Sequence, residues 1–229
     1  MKFIYNFLER AKRMVFKFNQ RRIDEKIAAA SHSATSFFFI QIGSNDGISG
    51  DPIYKYVKNF NWHGILIEPV EYLYKKLLAN YQGQQGLFFE NVAIDKSAGY
   101  KNFYSLKNLS GTGHVAWYEK LGSFNKEHLL KHKDKVPDFD LRLMEQSVKC
   151  VTFKSLLAKY AVTKINLLHI DAESYDYEII KTIPFEIIKP AMILYENKHL
   201  NIGDKQDCKK LLRSHGYKFI KSKDTFAYL

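Results

Sequence analysis

Phe38-Phe39-Ile40-Gln41-Ile42-Gly43-Ser44-Asn45-Asp46-Gly47 runs an apolar stretch straight into a Gly/Asn/Asp turn. A second apolar stretch, Gly64-Ile65-Leu66-Ile67-Glu68-Pro69, ends on a lone carboxylate 25 residues after Gly43. This is the spacing of a nucleotide-binding βαβ unit: strand, tight turn, helix, and an acid at the tip of the next strand. An acid so placed accepts hydrogen bonds from the two hydroxyls of a ribose. The first expectation is therefore a ribose-bearing cofactor.

The turn itself narrows the choice. It reads Gly43-x-x-x-Gly47-x-x-Gly50, whereas the dinucleotide fingerprint is G-x-G-x-x-G. NAD and FAD need the second glycine of that fingerprint so that main chain can approach a pyrophosphate. Asn45 holds the place here, and asparagine tolerates a left-handed backbone but keeps its side chain. S-adenosylmethionine has no pyrophosphate. Its compact carboxylate and ammonium suit a turn that carries Asn and Asp. A nicotinamide oxidoreductase is correspondingly disfavoured.

Downstream, strand-like and helix-like runs alternate, as in an α/β domain with a mostly parallel sheet. Strands are expected at 37–42, 63–68, 87–93, 166–171, 191–196, 216–220 and 225–228. Helices are expected near 51–60, 70–81, 152–161, 175–182 and 205–215. The last two strands flank Lys221-Ser222-Lys223-Asp224, too short a connection for a parallel pair, so they form a hairpin. A parallel sheet closed by a C-terminal antiparallel hairpin is the pattern of class I methyltransferases. Residues 100–150 break the rhythm and read as an insertion over the carboxyl edge of the sheet, where open α/β sheets bind ligands.

Composition sets the outer limits. The 229 residues, 46% hydrophobic and 15% aromatic, are enough for one full-sized core with an appendage. Cys150 and Cys208 show no metal or disulfide spacing, which fits a reducing, cytoplasmic compartment. The N-terminus does not read as a secretory signal. Of the net charge of +11, +5 lies in residues 1–30, where Phe3, Ile4, Phe7, Leu8, Ala11, Met14, Val15 and Phe18 recur at helical spacing. Residues 1–30 therefore read as a basic amphipathic helix ahead of a catalytic domain spanning 31–229. Three partners suit such a helix: its own domain or a sister subunit, an anionic membrane surface reached by residues 1–26, or nucleic acid. Nucleic acid is the least favoured, because the basic excess sits at the terminus and no RNA-binding module appears. Ala28–Ser36, small and polar, reads as a linker.

Four motifs in order, Gln41-Ile42-Gly43-Ser44-Asn45-Asp46-Gly47, Trp62-His63-Gly64-Ile65-Leu66-Ile67-Glu68-Pro69, Asn91-Val92-Ala93-Ile94 and Leu168-His169-Ile170-Asp171-Ala172-Glu173-Ser174-Tyr175-Asp176, resemble those of the FkbM-type methyltransferases. The likeness covers about residues 37–229. It implies a class I Rossmann-like fold with a seven-stranded sheet, S-adenosyl-L-methionine as donor, and O-methylation, often of sugars. It also implies that Gln41, Gly43, Ser44, Asn45, Asp46 and Gly47 form the cofactor turn. On the same pattern Glu68 and Pro69 lie at the ribose, and Asn91, Val92 and Ala93 at the adenine edge. One departure stands out: Ser174 replaces the glycine usual after the Glu of the Asp-x-Glu motif, which puts that turn in question.

Methyl transfer to a hydroxyl is an in-line displacement, and a base must share the proton of a poor nucleophile. Asp171 ranks first for that role, then His169, Glu173 and Glu196, all at the tips of adjacent strands. His169 reads equally as a core histidine, and Asp171 as a helix cap. Asp171, Glu173, Glu196 and His199 have the makings of an oxygen-rich cation site, but no metal is assigned. In the insertion, Ser110-Gly111-Thr112-Gly113-His114, Trp117, Tyr118, Ser123 and Phe124 suit a sugar acceptor. His128 and His132, four apart, read as a solvated helix face. The function expected is O-methylation of a sugar, glycan or glycan precursor. RNA methylation and a non-catalytic cofactor-binding module are the alternatives, and a homo-oligomer is open.

Overall fold

The computed structural model describes residues 2–109 and 115–229. The chain opens with a long helix, α1 (Lys2–Ser33), and then enters β1 (Phe38–Ile42). The sequence alternates α2 (Tyr54–Phe60), β2 (His63–Ile67), α3 (Glu71–Asn80) and β3 (Leu87–Glu90). After an excursion it resumes with α6 (Phe153–Lys159), β8 (Leu167–Ile170), α7 (Asp176–Lys181), β9 (Met192–Tyr195) and α8 (Ile202–Ser214). It ends in the hairpin β10 (Lys218–Lys221) and β11 (Thr225–Tyr228). The seven-stranded sheet has the order β10-β11-β9-β8-β1-β2-β3. β11 pairs antiparallel with β9 and β10, while β9, β8, β1, β2 and β3 pair parallel.

The central strands are apolar on both faces because both faces are covered. On one side Ile40, Ile42, Ile65, Ile67, Leu168 and Ile170 pack with Phe153, Leu156 and Ile179 of α6 and α7. On the other, Phe39, Leu66, Leu167 and Leu194 pack with Trp62, Leu77 and with Ile23 and Ile27 of α1. The period of two along β1 thus sorts Phe39 and Gln41 to the α1 face and Ile40 and Ile42 to the opposite one.

Two expectations change. Ala28–Ser33 is helix, not linker: three consecutive alanines favour helix, and Ser31 Oγ accepts a hydrogen bond from Trp62 Nε1 at 3.2 Å. The C-terminal half of α1 is part of the domain, since Tyr56 Oη donates to Asp24 at 2.7 Å. Its N-terminal half leaves Met14, Val15, Phe16 and Phe18 exposed. Among the described residues, no helix is long and apolar enough to cross a membrane.

The second change concerns residues 87–93. Main-sheet pairing stops at Glu90, and Ala93–Ile94 forms β4 of a separate sheet with β5 (Gly99–Leu106), β6 (Gly122–Ser123) and β7 (Leu143–Val151), in the order β4-β7-β5-β6. Asn91 makes the break by donating its side-chain amide to the carbonyls of Glu68 at 2.8 Å and Pro69 at 3.1 Å. The excursion is the predicted insertion, and its two ends zip together. β5 and β7 pair antiparallel from Gly99↔Cys150 to Leu106↔Leu143. Between them lie β6, α4 (Lys126–Leu130) and α5 (Phe139–Arg142). Leu106, Leu121, Leu129, Val136 and Phe139 give this segment a small core of its own. Cys150 and Cys208 are both buried and unpaired.

Candidate active site

The turn after β1 is locked from below. Gly43 N and Ser44 N both donate to Ile67 O at 3.0 Å, and Ser44 Oγ accepts from Ile67 N at 3.1 Å. These bonds fasten the β1 tip to the β2 tip. Gly43, at φ +79°, also lies so close to the end of β8 that a Cβ would stand 1.9 Å from the Asp171 carbonyl oxygen. Asn45 continues the left-handed path at φ +50°. That path turns Asn45 N toward Glu68, whose Oε2 accepts it at 2.8 Å. Glu68 Oε1 accepts Val70 N at 2.8 Å. The acid and the bend read from the sequence therefore touch. Burial pushes the Glu68 carboxyl up to about 7, against the two backbone donors that favour its ionised form.

Several predicted residues serve the scaffold. Asp46 folds its carboxylate back onto the turn, Oδ1 accepting from Ile48 N at 3.1 Å and Ser49 N at 2.8 Å, Oδ2 from Ser49 Oγ at 2.6 Å. Gln41 donates to Asp51 Oδ2 at 3.0 Å, leaving its buried Oε1 without a partner among the described residues. Asn91 is the strap already described. Gly47 opens the next step of the turn at φ +75°.

Two adjoining clefts share Gly43, Asn45, Lys120, Asp171 and Glu173 as their common wall. The smaller, about 480 Å³, is lined by Ile42, Ile67, Glu68, Pro69, Val92, Ala93 and, from the insertion, Phe103, Gly122 and Phe124. Its apolar lining is joined by Glu68 at the β2 tip and by Asn45, Lys120, Asp171 and Glu173 of the shared wall, so it offers a nucleoside an apolar slot with polar partners at its edge. The larger, about 900 Å³, is lined by polar groups including Asp51, His132, His169, Glu196, Lys198, His199 and Lys223, with Trp117 on its rim. Ser110–His114, read as part of the acceptor platform, lie outside the described residues.

Asp171, His169, Glu173 and Glu196 come together on the wall of the larger cleft, as their positions at strand tips imply. Asp171 Oδ1 is buried and has no hydrogen-bond partner among the described residues. Burial raises its pKa well above the ordinary value, and Glu173, Glu196 and Asp224 push the same way. Burial likewise raises Glu196 to about 7. His169, 3% exposed, is driven the other way, to about 3, because burial penalises a cationic ring. Its Nδ1 also lacks a partner among the described residues.

The turn at Ser174 is retained despite the missing glycine. Glu173 and Ser174 take φ +47° and +80°, a conformation costing about 1–2 kcal/mol per residue away from glycine. Ser123 of the insertion braces it by donating Oγ to Glu173 O at 2.8 Å.

The solvated-face reading of His128 and His132 is corrected. His128 is 1% exposed, and its Nε2 lies 2.8 Å from Glu173 Oε2. His132 lines the larger cleft. α4 ends at Leu130, so His132 lies beyond the helix that carries His128, and it is the fold of the insertion that turns both rings inward. Sequence reading also missed Lys120, Phe103 and the wholly buried Asp176, which accepts from Glu196 N at 3.2 Å. Asp176 had a signal, as it closes the motif that begins at Leu168. Lys120 and Phe103 had none.

The profile of the methyltransferase FkbM domain matches residues 41–219. The chain belongs to the FkbM methyltransferase family. Among solved structures, an FkbM methyltransferase from Methylobacillus flagellatus shares the fold at TM-score 0.53 and 11% identity. The match covers 85% of this chain and 44% of that one, so this FkbM protein spans less than half the length of that relative. The N-terminal domain of human METTL16 aligns at TM-score 0.46 and 9% identity, over 93% of this chain and 68% of that one. No curated protein matches. The methyl donor of the family is S-adenosylmethionine, and the smaller cleft fits it: Ile42, Ile67, Val92, Ala93 and Phe103 make an apolar slot, the buried Glu68 stands at the β2 tip, and the floor is a turn too tight for any side chain at Gly43.

Proposed function

We propose that this FkbM protein transfers a methyl group from S-adenosylmethionine to a hydroxyl of a sugar or glycan precursor. The observation that carries this reading is Asp171 Oδ1, buried and unpartnered in the wall between the two clefts. The cofactor supplies an electrophilic methyl on a sulfonium. The residues do the rest. Val92, Ala93 and Phe103 hold the base, and Glu68 the ribose hydroxyls. Asp171 takes the proton as the acceptor oxygen forms its bond to carbon and the carbon–sulfur bond breaks. A carboxylate with raised pKa matches an alcohol's proton better than an ordinary one does. The larger cleft, with Trp117 on its rim and ringed by donors and acceptors, suits a polyhydroxylated acceptor.

The test is incubation with methyl-labelled S-adenosylmethionine and a panel of nucleotide sugars and oligosaccharides. Label is expected in an alkali-stable ether. Label only in an alkali-labile ester, or in RNA and no sugar, overturns the reading.

The Glu68 contact has its own signature. Ribose hydroxyls donate to an ionised carboxylate, so binding lowers the Glu68 pKa and releases a proton. Affinity is then fully present above the free-enzyme value of about 7 and is lost as pH falls through it. Calorimetry with S-adenosylhomocysteine is expected to show about tenfold weaker binding at pH 5.5 than at pH 8. Asp51, raised to about 6, and Glu196 titrate in the same range, so Glu68→Gln is the deciding variant. A pH dependence as steep in Glu68→Gln as in the parent would assign it elsewhere.

A further inference from the structure

His128 has no part in the methyl transfer described above, yet the insertion buries it against the reactive edge. Three histidines gather there. The rings of His128 and His199 meet edge to face with centroids 4.6 Å apart, and His132 stands 5.5 Å from the first and 6.1 Å from the second. Glu173 Oε2 lies among them, 2.8 Å from His128 Nε2 and 3.9 Å from His199 Nε2. Glu196 Oε2 is 3.6 Å from His199 Nε2.

One donor atom from each of His128, Glu173 and His199 lies within 4.8 Å of the others. Ligands about 2.1 Å from a shared ion stand roughly 3–4 Å apart. The observed separations are therefore close to those of a coordination sphere, and small side-chain rotations complete it. We propose that His128, Glu173 and His199 bind a divalent first-row transition metal, with Glu196 placed to join them. Imidazole favours zinc, cobalt, nickel and iron, whereas magnesium and calcium take oxygen donors. Asp171, Glu173 and Glu196 also converge within the same span, and a dication offsets the repulsion among them. Three segments supply the ligands: the insertion, the turn after β8 and the loop after β9. The insertion therefore completes the site as well as covering it.

Glu173, Glu196 and His199 line the larger cleft. A cation there would polarise an acceptor oxygen beside Asp171. That role rests on the proposed reaction; the binding itself does not.

The experiment uses the full chain, stripped with chelator and titrated separately with Co²⁺, Zn²⁺ and Mg²⁺. Calorimetry reads stoichiometry, and visible absorption of the Co²⁺ form reads whether the ion leaves its octahedral aqua environment for a protein site of lower coordination number. One Co²⁺ or Zn²⁺ per chain is expected, with Mg²⁺ far weaker. His199→Ala is expected to weaken Co²⁺ at least as much as loss of an outer-shell partner does, about 10–100-fold, while S-adenosylhomocysteine still binds. His128 is buried and its removal risks the fold, so the part-exposed His199 is the primary variant. Absence of saturable Co²⁺ and Zn²⁺ binding in the parent overturns the proposal. So does undiminished Co²⁺ binding in His199→Ala, or Mg²⁺ binding as tight as Co²⁺. Binding of S-adenosylhomocysteine, measured on the same samples, reports on the methyltransferase reading separately.

Discussion

Asp171→Asn is expected to cut turnover by about 100-fold or more while leaving the affinity for S-adenosylhomocysteine unchanged. The substitution keeps size and polarity and removes only the ability to take a proton. His169 sits two residues earlier on the same strand and faces the same side, but burial acts oppositely on the two groups. Removing an acid from water raises its proton affinity; removing an imidazole lowers it. Asp171 is lifted well above an ordinary carboxyl, and His169 falls to about 3. An imidazole that weakly basic accepts a proton poorly. The geometry agrees: Asp171 Oδ1 is unpartnered in the wall that both clefts share, whereas His169 lines only the larger one. The readout is a split, with kcat falling and cofactor binding preserved. Near-normal turnover in a folded Asp171→Asn protein would move the proton to Glu173 or Glu196 and sink this assignment.

The sheet was legible because its signals are local. Each central strand is an apolar run ended by a turn residue, and the hairpin at 221–224 is fixed by loop length alone. That Glu68 lies beside the turn at Asn45 was legible for the same reason, since strand 2 of a βαβ unit returns beside strand 1; the bond from Asn45 N to its carboxylate was not. Errors arose where side chains act across the fold. Nothing near Asn91 signals that its amide will hook the carbonyls of Glu68 and Pro69, so β3 and β4 merged into one expected strand. Ala28–Ser33 looked like linker because its composition is small and polar, yet α1 continues through it to cover the edge of Trp62. His128 was the largest miss. Its spacing to His132 describes one segment, whereas its burial depends on β5 and β7 pairing from Gly99↔Cys150 to Leu106↔Leu143, far apart in the chain, and on α4 folding against Glu173. The turn at Ser174 was doubted on residue type. It persists because Ser123, on that same insertion, holds it.

Gly43→Ala is expected to cost about 3 kcal/mol or more of unfolding free energy, from two separate penalties. A left-handed backbone costs a residue with a Cβ about 1–2 kcal/mol. The new methyl also lands 1.9 Å from the Asp171 carbonyl oxygen, a main-chain atom that cannot swing away, and such overpacking adds about 1–3 kcal/mol. Gly83 separates the two terms. It has φ +80° with nothing within 4 Å of its missing Cβ, so Gly83→Ala carries the backbone penalty alone, about 1–2 kcal/mol. Urea denaturation of both variants measures the difference directly. The excess at Gly43 has a functional consequence. Relief of the clash requires the β1 and β8 tips to part, which moves Asn45 away from Glu68 and Asp171 away from the shared wall. Gly43→Ala is therefore expected to lose cofactor affinity as well as stability, and Gly83→Ala to keep it. Equal destabilisation of the two variants would mean that the strand tips separate freely. The cleft would then not depend on the contact between the turn and the end of β8.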